Sequence, residues 1–238
     1  MRTIIEKAAR RCLAIIKKVE QWGYRSLFPR AYKRSRQLGY WKGRYAKEKG
    51  RLSNSHYEPL FTTVYGLQRQ DYNGKRVLDI GCGPRGSLEW ADMTIQRVGL
   101  DPLVPDYLKL GAIKHKMEYA ASVSENIPFP DGYFDIVACL NALDDVDDLE
   151  STIREIKRVT KRGGFFLLSV EIDHQPTSSE PITIDDFALR KFGPEFEAIG
   201  EFGVGTPSDH DVHGAVVRRS PPYVTGQPGM YVARYLRR

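Results

Sequence analysis

Two kinds of apolar spacing divide this chain. Over residues 3–22, Ile4, Ile5, Ala8, Ala9, Cys12, Ile15, Ile16, Val19 and Trp22 recur at helical spacing. Lys7, Arg10, Arg11, Lys17 and Lys18 fill much of the remainder, so the segment predicts a basic amphipathic helix. Gly23 and Pro29 break that pattern, and the aromatic and basic stretch up to Arg51 predicts one short helix over residues 40–48. A further helix over residues 56–68 is expected to pack on the core through Leu60, Phe61, Val64, Tyr65 and Leu67.

Beyond that point the spacing changes to short continuous apolar runs, the mark of strands buried on both faces. Such runs predict parallel strands at 76–80, 97–100, 117–121, 134–140 and 165–170. Helical stretches lie between several of them, notably 149–160, which Gly163-Gly164 is expected to end. Two more strands, 196–202 and 230–236, are joined by a Gly-, Pro- and His-containing loop of about 27 residues, long enough to suggest a functional role. The alternation implies a Rossmann-like, doubly wound α/β sheet of seven strands. Five are parallel, an antiparallel C-terminal pair completes the sheet, and ligands are expected at the carboxyl ends of the strands. Residues 1–52 form an N-terminal helical extension and residues 53–238 the domain proper.

Composition adds little to the fold and something to the extension. With 238 residues, 41% hydrophobic and 28% charged, the chain can bury a full core. Its net charge of +6 conceals an asymmetry. Residues 1–52 carry 16 Lys/Arg against three acids, a net +13, which leaves 20 basic against 27 acidic residues, net −7, in the remainder. That basic helix has three open uses: packing on the core, lying on an anionic membrane, or contacting nucleic acid. Trp22, Tyr24 and Phe28 suit an interface. Cys12, Cys82 and Cys139 are odd in number and widely spaced, which argues against a disulfide framework or a zinc site. No metal is expected. No apolar run approaches the roughly 20 residues that cross a bilayer, and no secretory core is present. The expected location is the cytoplasm, with the inner membrane face as the alternative.

The chemistry centres on Val77-Leu78-Asp79-Ile80 followed by Gly81-Cys82-Gly83-Pro84-Arg85-Gly86, a strand running into a glycine-rich turn and an expected helix. GCGPRG satisfies a dinucleotide fingerprint, with Asp101 placed as a ribose-binding acid 20 residues after Gly81. By itself this does not separate a nicotinamide dinucleotide from S-adenosylmethionine. Asp79 favours the latter, because a carboxylate there suits an ammonium and gains nothing beside a pyrophosphate.

Further along stand Ser124-Glu125-Asn126-Ile127-Pro128-Phe129, then Phe134-Asp135-Ile136-Val137, Asn141-Ala142-Leu143-Asp144-Asp145-Val146 and Arg154-Glu155-Ile156-Lys157-Arg158-Val159. With the glycine turn, these segments resemble the ubiquinone/menaquinone-biosynthesis-like class I methyltransferases over residues 76–170. The resemblance implies S-adenosyl-L-methionine as cofactor. Gly81, Gly83 and Pro84 would line its methionine and ribose part, Asp101 would bind the ribose hydroxyls, and Pro102 and Leu103 would flank adenine. Ser124 and Glu125 would meet the adenine edge, with Leu140 and Asn141 beneath the sulfonium. Tyr40, Trp41 and Arg44 resemble an aromatic-basic lead helix that caps the cofactor, Arg44 pairing with the methionine carboxylate.

Three positions depart from that family. Arg85 stands where a third glycine is common, Val123 where an acid often contacts adenine, and Asp144 and Asp145 where two histidines often follow the fourth strand. Candidate bases are therefore Asp144, His174 and His56, with Asp145, His210 and His213 as further titratable groups. The resemblance says little about the acceptor; the expected one is a small-molecule or glycan hydroxyl, free or lipid-linked, reached beneath a lid formed by the N-terminal helices and residues 205–226. Asn141-Ala142-Leu143 lacks the Asn/Asp-Pro-Pro-aromatic pattern of amino-group enzymes. An RNA or protein methyltransferase and a non-catalytic S-adenosylmethionine-binding sensor or scaffold are the alternatives.

Overall fold

The computed structural model describes residues 26–177, 180–209 and 211–238. The amphipathic helix expected over 3–22, Trp22, Tyr24 and His210 lie outside the described residues.

Seven strands form one sheet in the order β3-β2-β1-β4-β5-β7-β6. They are β1 (Arg76–Ile80), β2 (Gln96–Leu100), β3 (Glu118–Ala120), β4 (Phe134–Leu140), β5 (Thr160–Ile172), β6 (Phe196–Gly205) and β7 (Gly229–Arg237). β1 to β5 pair in parallel, while β7 runs antiparallel to both β5 and β6. The sheet is thus the expected five parallel strands closed by an antiparallel pair. Because the chain winds outward from β1 first through β2 and β3, then through β4 and β5, strand order reverses between β1 and β4. A crevice opens there at their carboxyl ends.

Strand alternation sends neighbouring residues to opposite layers. Leu78, Ile80, Val137, Cys139, Phe166 and Leu168 join one core cluster, whereas Val77, Ile136, Ala138 and Leu167 join the other. Each fully buried aliphatic side chain of this kind contributes roughly 1.5–3 kcal/mol. This two-sided demand is why the strands read as unbroken apolar runs.

The helices are α1 (Pro29–Lys47), α2 (Tyr57–Phe61), α3 (Val104–Tyr107), α4 (Leu149–Val159), α5 (Asp186–Arg190) and α6 (Val212–Arg218). Four sequence expectations change. The break expected at Pro29 falls at Phe28, between helical Ser26–Leu27 and α1, but the short helix expected over 40–48 becomes the 19-residue α1, which Pro29 starts, since a proline in the first turn forfeits only an amide that has no intrahelical acceptor. The helix expected over 56–68 shrinks to α2 and a 3-10 turn, Thr63–Tyr65, which Gly66 ends at φ 66°.

No helix follows the glycine turn. Gly81, Gly83 and Gly86 all hold positive φ, so regular structure has no start before residue 87, and by residue 95 the Ile95 amide is already bonded to the Lys75 carbonyl beside β1. Finally, Gly163-Gly164 lies within β5 and does not terminate α4. A Cβ on Gly164 would stand 2.6 Å from the Asp135 carbonyl oxygen, so the glycine permits the close approach of β5 to β4.

Candidate functional site

A cleft of about 1350 Å³ occupies the crevice, floored by the ends of β1, β2 and β4 and walled by α1, α2 and α6. Asp79, next to last in β1, is 3% exposed and accepts a hydrogen bond from the Ser87 hydroxyl. Burial pushes its carboxyl up to about 7; the Ser87 bond opposes that rise and the nearby Asp101 charge adds to it. Asp101 follows β2. Its Oδ1 accepts from the Leu103 amide at 2.8 Å and its Oδ2 from the Tyr107 hydroxyl at 3.4 Å. Burial raises it to about 6, against the lowering influence of the Leu103 and Gly83 amides.

Between these acids the backbone turns at Gly81 (φ 73°) and Gly83 (φ 58°). A Cβ at Gly81 would lie 2.3 Å from that of Ala142, and one at Gly83 would lie 2.9 Å from the Trp41 ring. The bare turn is therefore what lets β4's following loop and α1 close on it. Asn141, just past β4, holds φ 55°, and its buried Oδ1 has no hydrogen-bond partner among the described residues. An unpaired acceptor of this kind on a cleft wall is costly without a ligand donor.

α1 is strapped across the mouth. At one end Lys33, 8% exposed, donates to the Asp145 carbonyl at 2.5 Å and pairs with Asp147. At the other, Glu48 meets Arg85 through two bonds, Nη1 to Oε2 at 2.9 Å and Nη2 to Oε1 at 2.5 Å. The Arg85 guanidinium holds the Glu48 carboxyl down at about 2. Tyr40 and Trp41 lie edge to face on the strap, 5.1 Å apart, and Arg44 lies 3.2 Å from Glu48 while still lining the cleft.

Of the residues expected to hold the cofactor, Asp79, Gly81, Gly83, Asp101, Pro102, Ser124, Glu125, Leu140, Asn141, Tyr40, Trp41 and Arg44 all line this one cleft. Pro84 and Leu103 do not. Pro84 is buried inside the turn, and Leu103 packs with Tyr107 and Ala112 while its amide fixes Asp101. Ser124 is tied to Thr152 at 2.9 Å, and Glu125 accepts the amides of Asp147 and Asp148, joining the loop after β3 to the one after β4.

The expected bases separate into two groups. Asp144 and His174 meet each other, Oδ2 to Nε2 3.4 Å apart, but both are buried and neither lines the cleft. Asp145 lines it instead, pushed up to about 8 by burial and by the neighbouring Asp144. On the opposite wall His56 stacks on His213 at 5.7 Å with 28° between the rings. Burial pushes both imidazoles down, His213 to about 4 with His56 adding to the effect. His213 belongs to α6, a helix inside the segment expected to be a loop, and Asp211 caps it by accepting from the Gly214 amide at 3.0 Å.

Sequence reasoning missed Tyr57, buried beside Asp79 and lining the cleft, and the pairing of Arg85 with Glu48. A signal for the latter existed, because Glu48 is one of only three acids in a strongly basic stretch. Among the described residues no group of three or more His, Cys, Asp or Glu is placed to hold a metal ion, and no helix is long and apolar enough to cross a membrane.

Comparison with known proteins agrees with this geometry. Residues 78–168 match the family model described as a methyltransferase domain. An uncharacterized methyltransferase, YcgJ of Bacillus subtilis, is 31% identical over 127 residues, which cover 47% of this chain and 45% of that protein. The ubiquinone biosynthesis O-methyltransferase of Pseudomonas aeruginosa is 35% identical over 111 residues, covering 43% of this chain and 47% of that one. The chain thus spans about half the length of the curated relatives it matches. In overall fold it is similar to the [4+2]-cyclase SpnF, with a TM-score of 0.55 at 18% identity, over 79% of this chain and 84% of the cyclase. Matched segment, seven-stranded sheet and acid-flanked glycine turn agree: residues 78–168 match the methyltransferase-domain family, and the sheet around them has the Rossmann-like fold of the solved methyltransferases.

Proposed function

We propose that this chain transfers the methyl group of S-adenosylmethionine to a hydroxyl oxygen of a small-molecule or glycan acceptor. The observation that carries the reading is the pair of buried carboxylates, Asp79 and Asp101, at the ends of adjacent strands on either side of the bare Gly81–Gly83 turn. When bound, the cofactor supplies a methyl group activated by a sulfonium. Asp101 suits a ribose diol, being a hydrogen-bond acceptor already oriented by Leu103 and Tyr107. Asp79 suits an ammonium, whose charge offsets the burial that holds its proton. Asn141 Oδ1 takes a donor hydrogen, and Pro102 with Val123 forms the apolar side of the adenine slot. Arg44 reaches the methionine carboxylate from the strap.

Beyond Asn141 the cleft is lined by Pro59, Leu60, Val146 and Val217, with the His56–His213 stack beside them. That wall favours an acceptor with an apolar body and a hydroxyl. Positioning in line with the methyl carbon and exclusion of water supply most of the rate. His56 and His213, held unprotonated by burial, accept the hydroxyl proton as transfer proceeds. The ubiquinone-pathway relative is an O-methyltransferase by name, which supports an oxygen acceptor. Delivery of a lipid-linked acceptor from a membrane surface is supported by Leu27 and Phe28, 75% and 57% exposed, midway along the strongly basic residues 1–52.

A cofactor-binding protein without methyl transfer is the competing reading, favoured by the [4+2]-cyclase among its structural neighbours. Incubating the chain with methyl-tritiated S-adenosylmethionine and fractionated cell extract separates the two. Label passing to a hydroxyl-bearing small molecule supports transfer; tight cofactor binding with no label transferred to any fraction contradicts it.

A further inference from the structure

Arg85 occupies the glycine turn itself, yet its side chain serves α1. It is 6% exposed, and besides its two bonds to Glu48 it donates through Nη1 to the Ser53 carbonyl at 2.7 Å. Glu48 in turn accepts the Ser53 amide at 3.0 Å. The guanidinium also stands over the Trp41 ring, 5.6 Å from its centroid. One side chain therefore ties the end of α1, the segment after it and the capping tryptophan to the turn.

The position of Trp41 depends on that tie. The ring sits where only a glycine at 83 leaves room, and besides the preceding Tyr40 ring it meets the Tyr107 ring at 6.4 Å. Among the described residues no side-chain hydrogen bond holds Trp41 there, and most of α1 is exposed, with Lys33 its one buried residue. Apolar burial along this helix is too slight to seat it unaided. Lys33 anchors the far end, so the end over the glycine turn stays or leaves with Arg85.

We infer that Arg85 is a positioning residue: the Arg85–Glu48 pair is the latch that seats Trp41 over Gly83 and closes the methionine end of the cofactor cleft. The inference rests on the cofactor reading above and goes beyond it, because the latch residue stands where the family commonly has a glycine. A bidentate pair between a well-shielded guanidinium and carboxylate is strong enough to hold a helix end and, being one contact, can be released as a unit. The cofactor's passage in and out is then governed by this pair.

The test compares the full wild-type chain with Arg85→Ala, Arg85→Lys and Glu48→Gln. Amide hydrogen exchange is read in the ligand-free chain, and S-adenosylhomocysteine dissociation is read by competition. Arg85→Ala and Glu48→Gln are expected to speed exchange over residues 36–48 while residues 134–140 stay protected. Both are expected to speed release of S-adenosylhomocysteine by on the order of tenfold, the loss expected when a charged hydrogen-bonded partner is removed. Arg85→Lys, which keeps the charge without the planar fork, is expected to fall between.

Unchanged exchange in the two variants overturns the latch. So does tighter ligand binding by Glu48→Gln, which would make Glu48 a competitor for the cofactor's carboxylate. If the wild type binds no S-adenosylhomocysteine, the cofactor assignment fails and the positioning role with it. If the wild type binds and the variants release ligand at its rate, the positioning role alone fails.

Discussion

Asp79, next to last in β1, and Asp101, the residue after β2, stand at the ends of two strands paired in parallel, and the ionised Asp101 makes the buried Asp79 harder to ionise. Two like charges held out of water are destabilising until a cation arrives, which supports the proposed placement of an ammonium beside Asp79.

That relationship has a pH dependence of definite sign. Asp79 is raised to about 7 in the folded chain from an ordinary value near 3.8. The folded state then holds a proton that the unfolded state has lost, and the ligand-free chain loses stability as pH rises from about 4 to 7. Asp79→Asn is expected to remove its own share of this slope, leaving the shares of Asp101, Asp144 and Asp145, and to raise the melting temperature of the ligand-free chain at pH 7.5 by about 5 °C. The same variant is expected to bind S-adenosylmethionine roughly a hundredfold more weakly, having lost a charged partner for the ammonium. Thermal melts from pH 4 to 8 with and without ligand read both effects; a ligand-free chain equally stable at both ends contradicts the assignment.

The histidines divide by position. His213→Gln is expected to lower methyl transfer on the order of a hundredfold while leaving S-adenosylhomocysteine affinity within about twofold, since general-base contributions are of that size. His174→Gln is expected to lower the melting temperature and spare turnover per folded molecule, because the Asp144–His174 pair lies off the cleft. Both imidazoles of the His56–His213 stack are held below the ordinary histidine value by burial, and Arg85 lowers both further while Asp211 opposes. Turnover is therefore expected to persist below the ordinary histidine range and to fall as pH approaches about 4, where His213 takes up its proton. Rate profiles on the folded variants decide this, and an activity loss confined to His174→Gln reverses the roles.

Gly81→Ala is expected to abolish ligand binding and destabilise the fold. A non-glycine residue at that positive φ costs about 1–3 kcal/mol, and its Cβ would overlap Ala142 as well. Gly83→Ala is expected to be milder in stability and to displace Trp41, which the exchange of α1 reports. Equal ligand affinity in wild type and Gly81→Ala would show that the turn does not contact the cofactor.

The strands were legible because a parallel strand covered on both faces is largely apolar, and the expected bounds 76–80 and 134–140 match β1 and β4 even though Asp79 and Asp135 interrupt the runs. The cofactor side was legible because Asp79, the glycines and Asp101 are fixed in spacing by the strand pair they terminate. α1 was underestimated because it buries little, so apolar periodicity had nothing to report over residues 29–39. The helix expected after the turn failed because three positive-φ glycines use up the short connection to β2. The Arg85–Glu48 latch joins residues 37 apart that no local pattern links. His56 and His213 came together only through the packing of α2 against α6.

Membrane delivery of the acceptor is expected to appear as salt-sensitive co-sedimentation of the full chain with phosphatidylserine-containing vesicles, weakened by Leu27→Ser with Phe28→Ser. Identical pellets with neutral vesicles, or none at physiological salt, contradict it.

The central assignment, that the crevice between β1 and β4 holds S-adenosylmethionine through Asp101 and Asp79, is tested most directly by calorimetric titration of the intact chain with S-adenosylhomocysteine. The expected result is a saturable single-site heat that Asp101→Ala abolishes and Asp144→Asn retains. No heat from the wild type, or equal affinity in Asp101→Ala, would contradict it.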